Sequence, residues 1–401
     1  MRRKFHLNLL IMGFSTRGFV ECAALSHSVG YSVTALDYFG DMDQGRWGKS
    51  RSLRRDLGAS GFSAEAIIDA LRKLEATGAS YEAVAYTSCI ENQPEVIRYV
   101  AKRKRLLGNP APVVQAARDF KTVHHLLQRA GVSYPRTLYL WRSPPPPGDW
   151  LWKPLDSGGG VKIVRASPDE PVPDRYMLQE FCRGRPASVA FVANGTEAVI
   201  LGLSEQLCGL EQFAAKPFSY CGNITPLTVG CQSGSGIERE QTLFKVRRMV
   251  TAITRECGLI GINGIDFLLT DEGDVLFLEV NPRYSSSMEL YRKAYGLDIF
   301  RLHVEAFQGR LPHRHLLHDE NPSYKGQYWG KAIVYAPWDL MTTDTRTWFS
   351  RGIRDIPYPG EEIPAKAPLC TVFAEAESRN RCLDTLYEKQ DWVLGNVSRI
   401  H

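Results

Sequence analysis

No two of the nine cysteines form a C-x-x-C pair, and their number is odd. Scattered thiols of this kind argue against a disulfide framework and a thiolate zinc site, and they suit a reducing cytoplasm. No apolar run approaches the ~20 residues of a membrane-spanning helix. The opening MRRKFHLNLLIMGF imitates a signal peptide only faintly. Its apolar stretch is short, contains Asn8 and lacks a small-residue cleavage site, so it reads as a first buried strand turning at Gly13. Internal repeats are absent. Charge of one sign is also scarce: a net +5 is too mild for nucleic-acid binding. The basic run Lys102-Arg103-Lys104-Arg105 fits a solvated helix end, where cations favour the dipole, better than a phosphate patch. The loop from Gly13 to Gly18 (GFSTRG) is not G-x-G-x-x-G, which sets aside a nicotinamide oxidoreductase.

What is present is an ordinary soluble balance, 44% apolar and 23% charged, in 401 residues. That length accommodates two or three domains. Strand and helix signals alternate early: strand 7–12, helix 14–30, strand 31–37, helix 65–77, strand 83–87. The alternation predicts a parallel sheet with crossover helices through about residue 115. Ser15, Thr16 and Arg17 at the first helix start suit either an anionic substrate or simple capping. A helix is predicted over 116–130, then strands over 150–154, 161–165, 176–181, 187–192 and 198–203. A helix over 236–258 precedes a hairpin, and 288–310 is mostly helical. From residue 327 the pattern turns β-rich, ending in a helix that runs to about residue 389.

The hairpin over 264–283, GIDFLLTDEGDVLFLEVNPR, carries the most information. A turn centred on Glu272 and Gly273 sets Asp266 opposite Glu279. Ile265, Phe267 and Leu269 then face Val280, Leu278 and Leu276 on a wholly apolar side that should be core. Directly opposed carboxylates have Cβ atoms roughly 5 Å apart and repel unless compensated. A divalent cation would compensate them, and oxygen ligands suit Mg²⁺. Asn281 points to the same face and adds an amide oxygen, while Gly264 opposite it leaves room for a ligand. A solvated hairpin is the plain alternative. Against it, Leu268 and Phe277 share the face of the acids.

Further features accompany the hairpin. Lys153 ends an apolar strand in LWKPLDSGGGVKIV, ahead of Ser157, Gly158, Gly159 and Gly160. Consecutive glycines let backbone N–H groups approach phosphate closely. Lys121 lies early in the 116–130 helix. Gln179, Glu180, Phe181 and Cys182 follow a strand and are extended enough to lie along an adenine edge.

In this order and spacing, the two lysines, the glycine hairpin, the extended hinge and Asp…Glu-x-Asn-Pro-Arg resemble the ATP-grasp superfamily of carboxylate–amine ligases and carboxylases. The resemblance covers roughly residues 116–310, and Asp119 opening D-F-K-T and the G-V-x-Y-P turn at Gly131 agree with it. It implies an α/β plus α+β chain. A Rossmann-like parallel-sheet domain would occupy 1–115, and an ATP-grasp domain of two α+β lobes 116–325, with the glycine flap in 135–203. A small β-rich domain would occupy 326–401, where GKAIVYAP looks like the closing domain of the biotin-carboxylase-like branch.

By position, the resemblance implies that Lys121 and Lys153 contact ATP phosphates and that Ser157 to Gly160 form a mobile flap. Glu180 to Cys182 would lie along the adenine. Asp266, Glu279 and Asn281 would hold two Mg²⁺ ions, for which Mn²⁺ could substitute, with Glu279 bridging. Arg283 would stabilise the transferred phosphoryl group. Pro186 stands where many members carry a ribose-binding acid, which passes that contact to another residue such as Glu211. The implied activity joins a carboxylate, activated as an acyl phosphate, to an amine. Its partners are small molecules, not nucleic acid or membrane, and a homodimer is compatible with it. The overall pattern resembles a group described as predicted ATP-dependent carboligases. A carboxylase using carboxyphosphate is the runner-up, weakened by the lack of a recognisable biotin-carrier segment. A catalytically silent nucleotide-binding regulator is the other alternative, opposed by the intact residue set. Two stretches are candidate substrate walls: Thr87-Ser88-Cys89-Ile90-Glu91-Asn92 at a strand's C-terminal end, and 204–226 with Gln206, Lys216, Tyr220 and Asn223.

Overall fold

The computed structural model describes residues 6–26, 30–139, 141, 143–156, 158–167, 174–228, 236–313, 316–317 and 324–400. Five strands come first: β1 (His6–Gly13), β2 (Gly30–Asp37), β3 (Lys49–Ser52), β4 (Ala83–Tyr86) and β5 (Arg105–Leu107). They form one parallel sheet in the order β3-β2-β1-β4-β5. Helices α1 (Arg17–Ala24), α2 (Ala64–Ala76) and α3 (Pro94–Ala101) connect them. Leu9 and Ile11 of β1 enter a core shared with Phe19, Tyr291 and Phe300. Leu10 and Met12 enter a second core with Ile67, Leu71 and Val96. A strand apolar on both faces requires this two-sided cover. The helix expected over 14–30 starts later because Thr16 folds back onto Asp37, its N–H and hydroxyl donating at 2.7 and 2.9 Å. Thr16 makes no side-chain cap to α1, and Arg17 is paired with Glu21, Glu289 and Asp355.

The single helix expected over 116–130 is two, α4 (Ala111–Arg118) and α5 (Phe120–Arg129). Asp119 divides them: its carboxylate accepts from the Lys121 N–H at 3.2 Å, a cap that restarts the helix. A four-stranded antiparallel lobe follows, with β6 (Thr137–Leu138), β7 (Trp150–Pro154), β8 (Val164–Arg165) and β9 (Tyr176–Glu180) in the order β6-β9-β7-β8. The strand expected over 161–165 shrinks to its last two residues, because 159–162 turn, with Gly159, Gly160 and Lys162 at positive φ.

The largest sheet is built from β10 (Arg185–Asn194), β11 (Ala198–Cys208), β12 (Tyr220–Thr225), β13 (Ile260–Leu269), β14 (Val275–Asn281), β15 (Tyr328–Tyr335) and, after β16 (Leu340–Thr342) and β17 (Glu362–Ile363), β18 (Pro368–Ala376). Its order is β14-β13-β10-β11-β12-β15-β18, so the sheet runs without a break across residue 326, where a boundary was expected. A small sheet, β17-β16-β19, with β19 at Val397–Arg399, stands apart. Helices α6 (Gly236–Cys257), α7 (Met288–Tyr295), α8 (Ile299–Ala306) and α9 (Arg379–Leu394) complete an α/β plus α+β chain. Among the described residues no helix is long and apolar enough to cross a membrane.

His303 fixes α8 against β13. Its Nε2–H donates to the Leu107 carbonyl at 3.0 Å, and Nδ1 accepts the Ile262 N–H at 3.0 Å. Both nitrogens serve only the neutral ring, and burial depresses its pKa to about 4. The unfolded ring, near 6.5, takes up a proton first on acidification. Stability is therefore present in full above that value and is lost as the pH falls towards 4, by about 3 kcal/mol at most for this residue. Urea unfolding at pH 7 and pH 4.5 should show this loss, and His303→Gln should flatten it.

Candidate functional site

β13 and β14 pair Asp266 with Glu279, Ile265 with Val280 and Gly264 with Asn281. The register then slips between Asp266 and Phe267, and pairing resumes as Phe267 with Phe277. This bulge corrects the expected pattern beyond the acids. Phe277 is 1% exposed in the core, and Leu278 instead joins Glu279 at the cavity wall. One extra residue reverses the alternation, as a bulge must. It also turns the Leu278 carbonyl to accept from Lys153 Nζ at 3.2 Å.

The two acids face a cavity of about 1180 Å³. Burial first, and then the Glu279 charge, raise the Asp266 pKa to about 7. Asn281 Nδ2 donates to Asp266 Oδ2 at 3.0 Å, while its Oδ1 accepts from an Arg283 terminal nitrogen at 2.9 Å. The amide thus presents nitrogen, not oxygen, to the acids. Arg283 Nε donates at 2.9 Å to Glu91 Oε1, on the short turn after β4. Arg118 lies 3.9 Å from Glu279. Lys153 is 7% exposed, and burial lowers its pKa while Glu279 draws it back up. The raised pKa of Asp266 opposite Glu279 marks a charge conflict that a cation would remove, and the carboxylates fit a hard, oxygen-liganded ion. Among the described residues no group of three or more His, Cys, Asp or Glu could hold a metal ion.

Gly158, Gly159 and Gly160 line the same cavity, whereas Ser157 lies outside the described residues. The turn rests on the 217–220 segment: Gly159 carbonyl accepts from Tyr220 N–H at 2.9 Å. A Cβ on Gly160 would lie 1.9 Å from the Phe218 oxygen, so only glycine permits this approach. Gln179, Glu180, Phe181 and Cys182 form the wall beside Lys153. The Gln179 side chain donates to Thr137 Oγ1 at 3.1 Å, and the Glu180 and Phe181 N–H groups donate to the Arg136 and Asp149 carbonyls.

The structure does not bring every expected residue to the cavity. Lys121 is exposed on the first turn of α5, and Glu211 is exposed on the short 3₁₀ turn Glu211–Phe213; neither lines the wall. Lys216 is likewise exposed and off the wall, while Gln206, Tyr220 and Asn223 line it with Thr87, Ser88 and Glu91. Sequence reasoning missed a charged network at one end. Arg17, 2% exposed, donates to Asp355 Oδ1 at 2.8 Å, to Glu21 at 3.2 Å and to Glu289. Lys331 donates to Glu289 at 2.9 Å. Lys331 sits in the quoted GKAIVYAP stretch, but nothing local marks Asp355 as its neighbour.

Residues 117–287 match the model of the ATP-grasp domain. A 121-residue stretch is 31% identical to the carbamoyl phosphate synthase large chain of Thermoplasma acidophilum, covering 30% of this chain and 10% of that one. The chain spans only 10–14% of the length of the curated relatives it matches. Its fold resembles the L-amino acid ligase of Bacillus licheniformis, with a TM-score of 0.67, 14% identity and 98% of each chain covered. It also resembles the biotin carboxylase domain of the Hydrogenobacter thermophilus 2-oxoglutarate carboxylase, solved with MgADP, ADP and bicarbonate. There the TM-score is 0.65 at 13% identity, over 98% of this chain and 90% of that one.

Proposed function

We propose that the chain, which matches the ATP-grasp domain over residues 117–287, is an ATP-dependent ligase. It activates a carboxylate as an acyl phosphate and joins it to an amine, releasing ADP and phosphate. One observation carries this reading: the opposed acids Asp266 and Glu279, the buried Lys153, the tethered Arg283 and the glycine turn 158–160 share one cavity. Asp266 and Glu279 would hold Mg²⁺, which supplies charge neutralisation for the phosphates when bound.

The chain's own groups divide the remaining work. Lys153 supplies a fixed positive charge to a phosphate oxygen. Arg283, held by Glu91, Asn281 and the Tyr284 carbonyl, keeps its positive charge at the cavity wall, where it would stabilise the anionic oxygens of the acyl phosphate. Gly158 to Gly160 leave room for phosphate beneath the turn, and the turn's contact with Tyr220 shields the labile anhydride from water.

An ADP-release screen of carboxylate and amine pools, with product masses read, tests this reading. Added hydroxylamine should trap the activated acid as a stable hydroxamate. Release of ADP that requires bicarbonate and yields no hydroxamate would replace the ligase reading with a carboxylase. Nucleotide binding with no turnover across the screen would support a silent regulator.

A further inference from the structure

The N-terminal wall of the cavity has carboxylate oxygens in excess of the groups that could neutralise them. Four acids gather where the loops after β1 and β2 meet residues 355–356. Asp37 accepts from the Thr16, Phe39 and Gly40 N–H groups, Asp43 from the Asp355 and Ile356 N–H groups, and Asp355 from Arg17. Each of these three is committed to holding the chain. The Asp41 carbonyl accepts from the Gln44 N–H at 3.1 Å, but its half-buried carboxylate has no hydrogen bond or ion pair among the described residues, and it lines the cavity. Burial and the neighbouring charges of Asp37, Asp355, Asp43 and Glu361 all raise its pKa well above the carboxylate range. Arg17 is paired with Asp355, Glu21 and Glu289, and Arg54 and Arg55 with Glu361, while Arg354, which feels the Asp43 charge, donates to the Phe349 and Ile353 carbonyls.

Aromatic rings line the same wall. Phe14 sits edge-on to Phe39 and Phe62 at centroid separations of 5.0 and 5.4 Å, and all three rings are half-buried at the cavity. The Phe14 N–H donates to the Ser88 carbonyl at 3.0 Å, which joins this wall to the turn that carries Glu91. Glu91 on that turn is engaged with Arg283. It is 5% exposed, gives Oε1 to Arg283, and its Oε2 has no partner among the described residues. The cavity is also larger than the roughly 300–1,000 Å³ of a typical single-ligand site.

We propose that this wall is the amine-substrate subsite, taking a primary ammonium group on Asp41 and an apolar, ring-sized body against Phe14, Phe39 and Phe62. The assignment rests on the ligase reading and gives its second substrate a chemical class. A cation relieves the crowding of like charges on this wall, and aromatic faces favour a positive charge. An anion would meet uncompensated carboxylate there, and a neutral analogue would leave Asp41 without its counter-charge.

Calorimetric titration of the full chain without nucleotide tests it, with phenethylamine as the probe and phenethyl alcohol and 3-phenylpropionate as controls. The amine should bind about tenfold more tightly than the alcohol, and the anion should not bind. Asp41→Asn should weaken the amine about tenfold, and Phe62→Ala should weaken amine and alcohol alike. Equal binding of amine and alcohol to the unaltered protein overturns the subsite without any variant having to fold, as does no amine binding at all. The ligase reading fails separately. If Asp41-dependent amine binding occurs but no carboxylate and amine pair releases ADP, the subsite stands and the ligase does not. If ADP release occurs and Asp41→Asn leaves the amine KM unchanged, the ligase stands and the subsite does not.

Discussion

Glu279→Gln should stop ADP formation, lowering turnover on the order of a thousandfold or more, while the protein stays folded. The two parts of this result have one cause. Asp266 and Glu279 are directly opposed, and Glu279 helps to raise the Asp266 pKa to about 7. In metal-free buffer Glu279 repels Asp266 but attracts Arg118 and Lys153, so an isosteric amide removes an attraction along with a repulsion. The thermal midpoint without metal should therefore stay close to that of the unaltered protein. MgADP should raise the midpoint of the unaltered protein and fail to raise that of the variant, because a ligand stabilises only the state it binds. Thermal melts with and without MgADP, beside a coupled ADP assay, separate the outcomes. Normal turnover in the variant would show that the hairpin is not the metal-binding element. Lost turnover with a collapsed melt would show that Glu279 supports the fold instead.

The parts of this site that were legible in the sequence are those written in local pattern. Alternation with a period of two set Asp266 opposite Glu279, and the structure keeps that pair in register. The same logic failed beyond it, because nothing in Leu276, Phe277 and Leu278 announces the residue that the bulge absorbs. All three are apolar and suit either face. Lys121 was harder still, since the direction of a helical side chain depends on where the helix begins. Here Asp119 restarts it, and Lys121 emerges on an exposed turn. Glu91 was recognised as part of a substrate wall, but its bond to Arg283 spans 192 residues of sequence. Asp355 and Arg17 are 338 apart. Such pairs follow from how the parallel sheet docks on the central sheet, and no local spacing encodes that. The expected C-terminal unit shows the same limit: strand signals in 328–376 were readable, but their addition to the edge of the central sheet was not.

Lys153→Met should separate catalysis from stability in the other direction. Lys153, next to last in β7, lies at the cavity, 7% exposed, with Nζ 5.2 Å above the Phe120 ring and donating to the Leu278 carbonyl at 3.2 Å. Burial lowers its pKa, which signals that the charge is held at a cost in free energy. Methionine keeps the length and apolar stem but discards the charge. Removing a poorly compensated buried ion is commonly neutral or stabilising, and the loss of one neutral acceptor's partner costs about 1 kcal/mol. The unfolding free energy of the nucleotide-free variant should stay within about 1–2 kcal/mol of the unaltered protein. Turnover should fall about a hundredfold to a thousandfold, with a raised KM for ATP, because a phosphate oxygen loses its charge-assisted donor in a site shielded from water. The same lysine ties β7 to the hairpin through the Leu278 carbonyl, on the residue that the bulge brings to the wall. Urea unfolding and steady-state ADP release on the same preparation decide the point. Unchanged kcat and KM would remove Lys153 from the phosphate site. Equal losses of stability and activity would mean that it serves the β7–β14 contact alone.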